Sequence, residues 1–106
     1  MGFLDFLMGP DINEGLKEFR EREGAVLLDV RSHDEYVLGH VPGSLHIPLD
    51  SIERIKAEVP DLSTPIYAYC LSGARSSSAV SRLKAMGYAE VHNIGGINRY
   101  RGKPER

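Results

Sequence analysis

Residues 25–30 read Ala25-Val26-Leu27-Leu28-Asp29-Val30, apolar at five of six positions. An amphipathic helix would interrupt such a run every three or four residues, and a half-buried strand would interrupt it at every second one. A strand covered on both faces tolerates it, as in a parallel sheet. Outward from this run the chain alternates short helix-like and strand-like pieces, the pattern of an α/β fold.

Upstream, Asp11-Ile12-Asn13-Glu14 has the form of a capping box with Asp11 as N-cap. Ile12, Leu16 and Phe19 follow at helical spacing, and Gly24 is expected to stop that helix. Downstream, Ser32-His33-Asp34-Glu35 is a second capping box, opening a short helix that ends at Gly39. After the turn Val41-Pro42-Gly43 comes Leu45-His46-Ile47, a short strand that Pro48 keeps from pairing fully. Asp50-Ser51-Ile52-Glu53 caps a predicted third helix with Ile52, Ile55 and Val59 on one face, closed by Pro60. Ile66-Tyr67-Ala68-Tyr69 is the next strand, with its tyrosines assigned to packing. A helix from Arg75 to Met86 then presents Ala79, Val80, Leu83 and Met86 to the core, with Gly87 as its C′ stop. Val91-His92-Asn93-Ile94 is the last strand, after which Gly95-Gly96 is expected to start a short helical piece.

Strand–helix–strand units of this kind imply right-handed crossovers. The expected fold is a mainly parallel sheet of four or five strands with helices on both faces. It forms a single domain over residues 1–106, with a short N-terminal segment (1–10) and a short C-terminal tail (102–106). At 106 residues the chain is long enough for a real core. Composition, 42% hydrophobic and 26% charged, is that of a globular protein. One cysteine excludes an internal disulfide and any CxxC pair. No apolar run approaches the ~20 residues of a membrane span, so no membrane partner is expected. The opening MGFLDFLMG is too short and lacks the basic flank of a secretory signal, and it has no myristoylation serine or threonine. The expected location is the cytoplasm.

Charge is divided unevenly. Residues 1–61 hold thirteen Asp/Glu against six Lys/Arg, a balance of −7, whereas residues 62–106 hold two against seven, a balance of +5. The basic half has no basic-aromatic stripe or nucleic-acid motif, so no nucleic-acid partner is expected. A site for a small anion accounts for the asymmetry, as does an ordinary solvated face.

Ligands of parallel α/β sheets sit beyond the carboxyl ends of the strands. The junction there is Cys70-Leu71-Ser72-Gly73-Ala74-Arg75-Ser76, joining a strand to a helix. Gly73 permits a tight turn, and Ser72 and Ala74 are small enough for successive N–H groups to point inward as an anion nest at a helix N-terminus. Arg75 adds a full charge. A thiol in that setting is expected to fall into the range of about 3.5–7.5 and to be a nucleophile. A lone cysteine is otherwise a small buried apolar residue, but such a residue has no use for a glycine-bearing, arginine-ended turn.

Leu28-Asp29-Val30-Arg31, Glu35-Tyr36, Gly39-His40-Val41-Pro42-Gly43-Ser44, Ile47-Pro48-Leu49, the Cys70–Ser76 loop, Gly87-Tyr88 and Asn93-Ile94-Gly95-Gly96-Ile97 follow one another in a set order and spacing. Together, over about Asp11 to Gly102, they resemble the single-domain rhodanese family of sulfurtransferases. Tyr100 stands where many members carry tryptophan. The resemblance implies a ping-pong reaction. The Cys70 thiolate takes the outer sulfur of thiosulfate or a related small anionic donor, and a cyanide or thiol acceptor removes it from the persulfide. Leu71 to Ser76, Arg75 included, would form the anion cradle, and no cofactor would be required. With a single cysteine the acceptor must be external.

Other readings carry different signatures. A small Cys-dependent phosphatase or arsenate-handling enzyme is disfavoured by loop length. Phosphatases of the same fold have one more residue between cysteine and arginine; here there are four, a ring better matched to one sulfur than to a phosphoryl group. A partner-dependent persulfide relay would share the whole loop but turn over only with its protein partner. A Cys–His protease lacks any protease motif around His33, His40, His46 or His92, and these histidines, spaced 7, 6 and 46 apart, form no HxxH or HxxxH zinc pair. Asp29 and Arg31 end a strand at the same rim. They are expected to be structural, Asp29 bonding loop amides and Arg31 pairing with Glu35. Arg99, Arg101 and Lys103 either draw anions toward the site or solvate the tail.

Overall fold

The computed structural model describes residues 9–106; the reading of the opening nine residues falls almost wholly outside them. The apolar run supplies β1 (Val26–Asp29), which lies inside the sheet. β1 pairs in parallel with β2 (Leu45–His46) on one side and β3 (Ile66–Cys70) on the other, and β4 (Val91–Gly96) pairs in parallel with β3. The sheet therefore has four strands in the order β2-β1-β3-β4.

Alternation along the strands distributes two cores. Leu28, Ile66, Ala68 and Cys70 face one side, where they meet Ile52, Ile55, Ala79 and Leu83. Leu27, Tyr67 and Tyr69 face the other, against Ile12 and Leu16 of α1 (Ile12–Arg20). Each fully buried leucine or isoleucine contributes roughly 1.5–3 kcal/mol. Between β1 and β2 runs α2 (His33–Leu38), with no buried residue of its own but with the full Ser32–Glu35 capping box. Between β2 and β3 come a 3₁₀ helix (Leu49–Arg54) and a single turn, α3 (Ile55–Glu58). α4 (Ala74–Ala85) joins β3 to β4. It ends in a Schellman turn, where the Tyr88 amide reaches the Leu83 carbonyl and the Gly87 amide that of Lys84.

Four local expectations are corrected. α1 stops at Arg20, with Glu21 as C-cap, and Gly24 (φ +79°) instead shapes the turn into β1. Asp11 does cap α1, but its carboxylate takes the Asn13 amide at 3.0 Å, while the Glu14 amide bonds the Asp11 carbonyl; no reciprocal box forms. The third helix is not capped by Asp50. Leu49 N–H is still tied to the Val30 carbonyl at the sheet, so the chain leaves late, as a 3₁₀ helix after Pro48 that kinks at Ser51. Gly95 and Gly96 start no helix: β4 runs through both, and a bulge sets Asn93 against Ala68 and Gly95 against Tyr69, leaving Ile94 extra. A side chain on Gly95, at φ +104°, would strike the Pro10 carbonyl. The helical piece is a 3₁₀ turn, Ile97–Arg99.

Candidate active site

Cys70 is the last residue of β3 and is 1% exposed. The strand aims its side chain at the face that α4 covers, and α4 begins four residues later, so the thiol lies under the start of that helix. Gly73, at φ +104°, turns the chain tightly enough to return its amide to Cys70 Sγ at 3.0 Å. The Ser76 amide and Ser76 hydroxyl each reach Sγ at 3.4 Å. Burial alone would raise the thiol. The Ser76 hydroxyl and amide, with the Gly73 and Ser72 amides, outweigh it and bring Cys70 below the ordinary thiol value.

The remaining loop residues are placed differently. Gly73 and Ser76 are buried; Leu71, Ser72 and Ala74 are exposed. Arg75 points its guanidinium at Glu35 in a two-pronged pair of 2.7 and 2.9 Å. Glu35 is thereby held down to about 2, chiefly by Arg75. Arg75 thus stands beside the thiol as half of a neutral pair.

Arg31 does not pair with Glu35. Its guanidinium bonds the Asp29 carboxylate, at 2.7 Å for the shortest contact, and the Gly39 carbonyl at 2.7 Å. Asp29 also accepts the Arg31 amide. This buried pair ties the end of β1 to the turn after α2. Tyr69 closes the same corner: its hydroxyl accepts the Val41 amide at 3.0 Å and donates to Ser44 Oγ. His40 is stacked on Tyr36 and joined through its backbone to Glu105, so residues 103–106 are drawn back along the site. Among the described residues no group of three or more His, Cys, Asp or Glu could hold a metal, and no helix is long and apolar enough to cross a membrane.

Sequence reasoning passed over Asn93 as a site residue. Its amide group bonds the Gly73 carbonyl (3.0 Å), the Gly95 amide (3.0 Å) and the Ser76 hydroxyl (2.7 Å). It also passed over Glu35 as the partner of Arg75. A signal existed for the latter: α2 and α4 both open at the carboxyl ends of adjacent parallel strands, so Glu35 and Arg75, each in a first helical turn, share one rim. A cavity of about 770 Å³ opens beside Leu71, walled by Leu38, Ile97 and Pro104, with Lys103 and Arg106 at its edge.

The model of the rhodanese-like domain matches residues 13–103. The chain belongs to the rhodanese-like family. Relatives include the thiosulfate sulfurtransferase PspE of Escherichia coli, 41% identical over 71 residues, covering 66% of this chain and 68% of that protein. Another is a Bacillus subtilis protein that carries the name "Putative sulfur carrier protein YrkF", 36% identical over 101 residues. That match covers 91% of this chain but only 53% of YrkF. Among solved structures, a rhodanese with anions from E. coli superposes with a TM-score of 0.72 at 35% identity, over 77% of this chain and 98% of that one. The four-stranded parallel sheet flanked by helices is thus that of a single rhodanese-like domain.

Proposed function

We propose that the protein is a sulfurtransferase that carries a sulfane sulfur on Cys70. The observation that carries this reading is the convergence of the Gly73 amide, the Ser76 amide and the Ser76 hydroxyl on one sulfur atom at 3.0–3.4 Å. Such a ring stabilises a thiolate by hydrogen bonds, and the four residues between Cys70 and Arg75 match it to one sulfur rather than to a phosphoryl group. In the first half-reaction the Cys70 thiolate attacks the outer sulfur of thiosulfate; the S–S bond to the sulfonate breaks and sulfite leaves with its electron pair. The product is a Cys70 persulfide anion. In the second, cyanide or a thiolate attacks the terminal sulfur, the Cys70–S bond breaks, and Cys70 departs as thiolate. Charge is conserved in both steps, and no cofactor or metal takes part.

The relationship to E. coli PspE favours thiosulfate as donor. Steady-state thiocyanate production from thiosulfate and cyanide tests the reading. Parallel double-reciprocal lines, abolished in Cys70→Ser, are expected; hydrolysis of an aryl phosphate through Cys70 without sulfur transfer would replace it by a phosphatase reading.

A second reading is a relay that hands sulfur only to a protein partner, favoured by the similarity to YrkF, a protein named for a sulfur-carrier role. It shares the Cys70 persulfide and differs in its acceptor. Sulfur loading without turnover by cyanide or small thiols would select it. In either case the Ser72, Gly73 and Ser76 amides hold the sulfur, Leu71 and Ala74 border the entrance, and Arg75, paired with Glu35, ties the start of α4 to α2.

A further inference from the structure

Ser76 has one hydroxyl hydrogen and two acceptors within reach. Asn93 Oδ1 is 2.7 Å from Ser76 Oγ, and Cys70 Sγ is 3.4 Å away. Both cannot receive that hydrogen at once. The orientation of the Asn93 amide is fixed by its other partners: Oδ1 must accept the Gly95 N–H, and Nδ2 must donate to the Gly73 carbonyl. Asn93 therefore presents an acceptor, not a donor, to Ser76. Asn93, in register with Ala68 on the α4 face of β4, is held in this position against the loop by those two bonds.

We propose that the Ser76 hydroxyl is a charge-following donor whose resting acceptor is Asn93, which makes Asn93 a positioning residue for Cys70. While Sγ is an uncharged thiol, the hydroxyl hydrogen stays on Asn93 Oδ1, the shorter contact. When Sγ ionises, the hydroxyl rotates and donates to it, because a bond to a charged acceptor is roughly twice as strong as one between neutral groups.

The purpose of the swing in catalysis rests on the sulfur-transfer reading above. In the persulfide the negative charge moves to the terminal sulfur, Sγ is neutral, and the hydroxyl returns to Asn93. As the acceptor removes the terminal sulfur, charge reappears on Sγ and the hydroxyl turns back to stabilise the departing thiolate. Asn93 thus supplies the alternative partner that keeps the hydroxyl satisfied in a buried site whenever the cysteine does not need it.

The test is a double-mutant cycle read by the pH dependence of Cys70 alkylation with iodoacetamide, in wild type, Ser76→Ala, Asn93→Ala and the double variant. Ser76→Ala is expected to raise the alkylation midpoint. Asn93→Ala also loosens Gly73, but that effect is present in both backgrounds and cancels in the cycle. What remains is competition for the hydroxyl. With Ser76 present, Asn93→Ala should leave the midpoint at least about half a unit lower than its effect in the Ser76→Ala background implies, roughly a threefold change in thiolate equilibrium.

Asn93→Asp keeps an acceptor for Ser76 and Gly95 but makes it charged. It should give a coupling of the opposite sign, and it carries the test if Asn93→Ala does not fold. Zero coupling, or couplings of reversed sign, would overturn the proposal. Alkylation needs no sulfur donor. A wild-type protein that thiosulfate fails to load would count against the sulfur-transfer reading and leave this result standing.

Discussion

Glu35→Gln isolates the charge that faces Arg75. Glutamine keeps an oxygen for the Ser32 amide and hydroxyl, so the capping box can persist, while the two-pronged ion pair with Arg75 is lost. Glu35 is lowered from 4.5 to about 2, which corresponds to about 3 kcal/mol before screening. The Arg75 side chain is 38% exposed and that of Glu35 29%, so water reduces the net contribution to ~1 kcal/mol. Its pH dependence has a definite sign. The folded value lies below the unfolded one, so the stabilisation is complete above about pH 4.5 and is lost as pH falls through about 2. Urea unfolding of wild type and Glu35→Gln at pH 7 and pH 3 measures this. A gap of about 1 kcal/mol at pH 7 that narrows at pH 3 and closes near pH 2 is expected. No gap at pH 7, or one constant with pH, would mean that the Glu35–Arg75 pair adds nothing to stability.

Two further substitutions address the frame of the site. A side chain on Gly96 would overlap the Leu71 carbonyl and come within 2.6 Å of Ser72 Cα; both are backbone of the Cys70 loop and cannot swing aside. Gly96→Ala should cut thiocyanate production by on the order of 100-fold, as a displacement of about 1 Å does, while costing only ~1–3 kcal/mol of stability; unchanged turnover would show that the loop does not rest on β4. Asp29→Ala leaves the Arg31 guanidinium, on a residue only 4% exposed, with the Gly39 carbonyl alone. The expected loss is about 3–5 kcal/mol in urea unfolding at pH 7, and a loss under about 1 kcal/mol would mean that water replaces the carboxylate.

What was legible in the sequence was local or periodic. The Ala25–Val30 run announced a strand covered on both faces, and Leu28 and Leu27 of β1 are buried in the two opposite cores. Ser32 and Glu35 sit three apart, within one turn of helix, and their box formed. Where several signals competed, the chain chose by long-range contact. Asp50 offered a cap, but the hydrogen bond from Leu49 to Val30 held the chain to the sheet for longer.

The same division applies to the site. Cys70, Gly73 and Ser76 belong to one continuous loop, and their convergence follows from the turn between strand and helix. Partner choice across the sheet does not. Arg31 stood four residues from Glu35 and took Asp29, two residues away and buried beside it, whereas Glu35 took Arg75, forty residues on. Asn93 lies on the α4 face of β4, in register with Ala68, and meets Gly73 and Ser76 only because β4 pairs beside β3, a long-range neighbour that no local pattern names.

Sulfur carriage by Cys70 is read from the intact mass of the protein. Mass is recorded before thiosulfate, after thiosulfate and after subsequent cyanide, in wild type and in Cys70→Ser. Wild type alone is expected to gain one sulfur atom, which cyanide then removes as thiocyanate. A folded wild-type protein with a free thiol that gains no sulfur, or a Cys70→Ser variant that gains one, would contradict it.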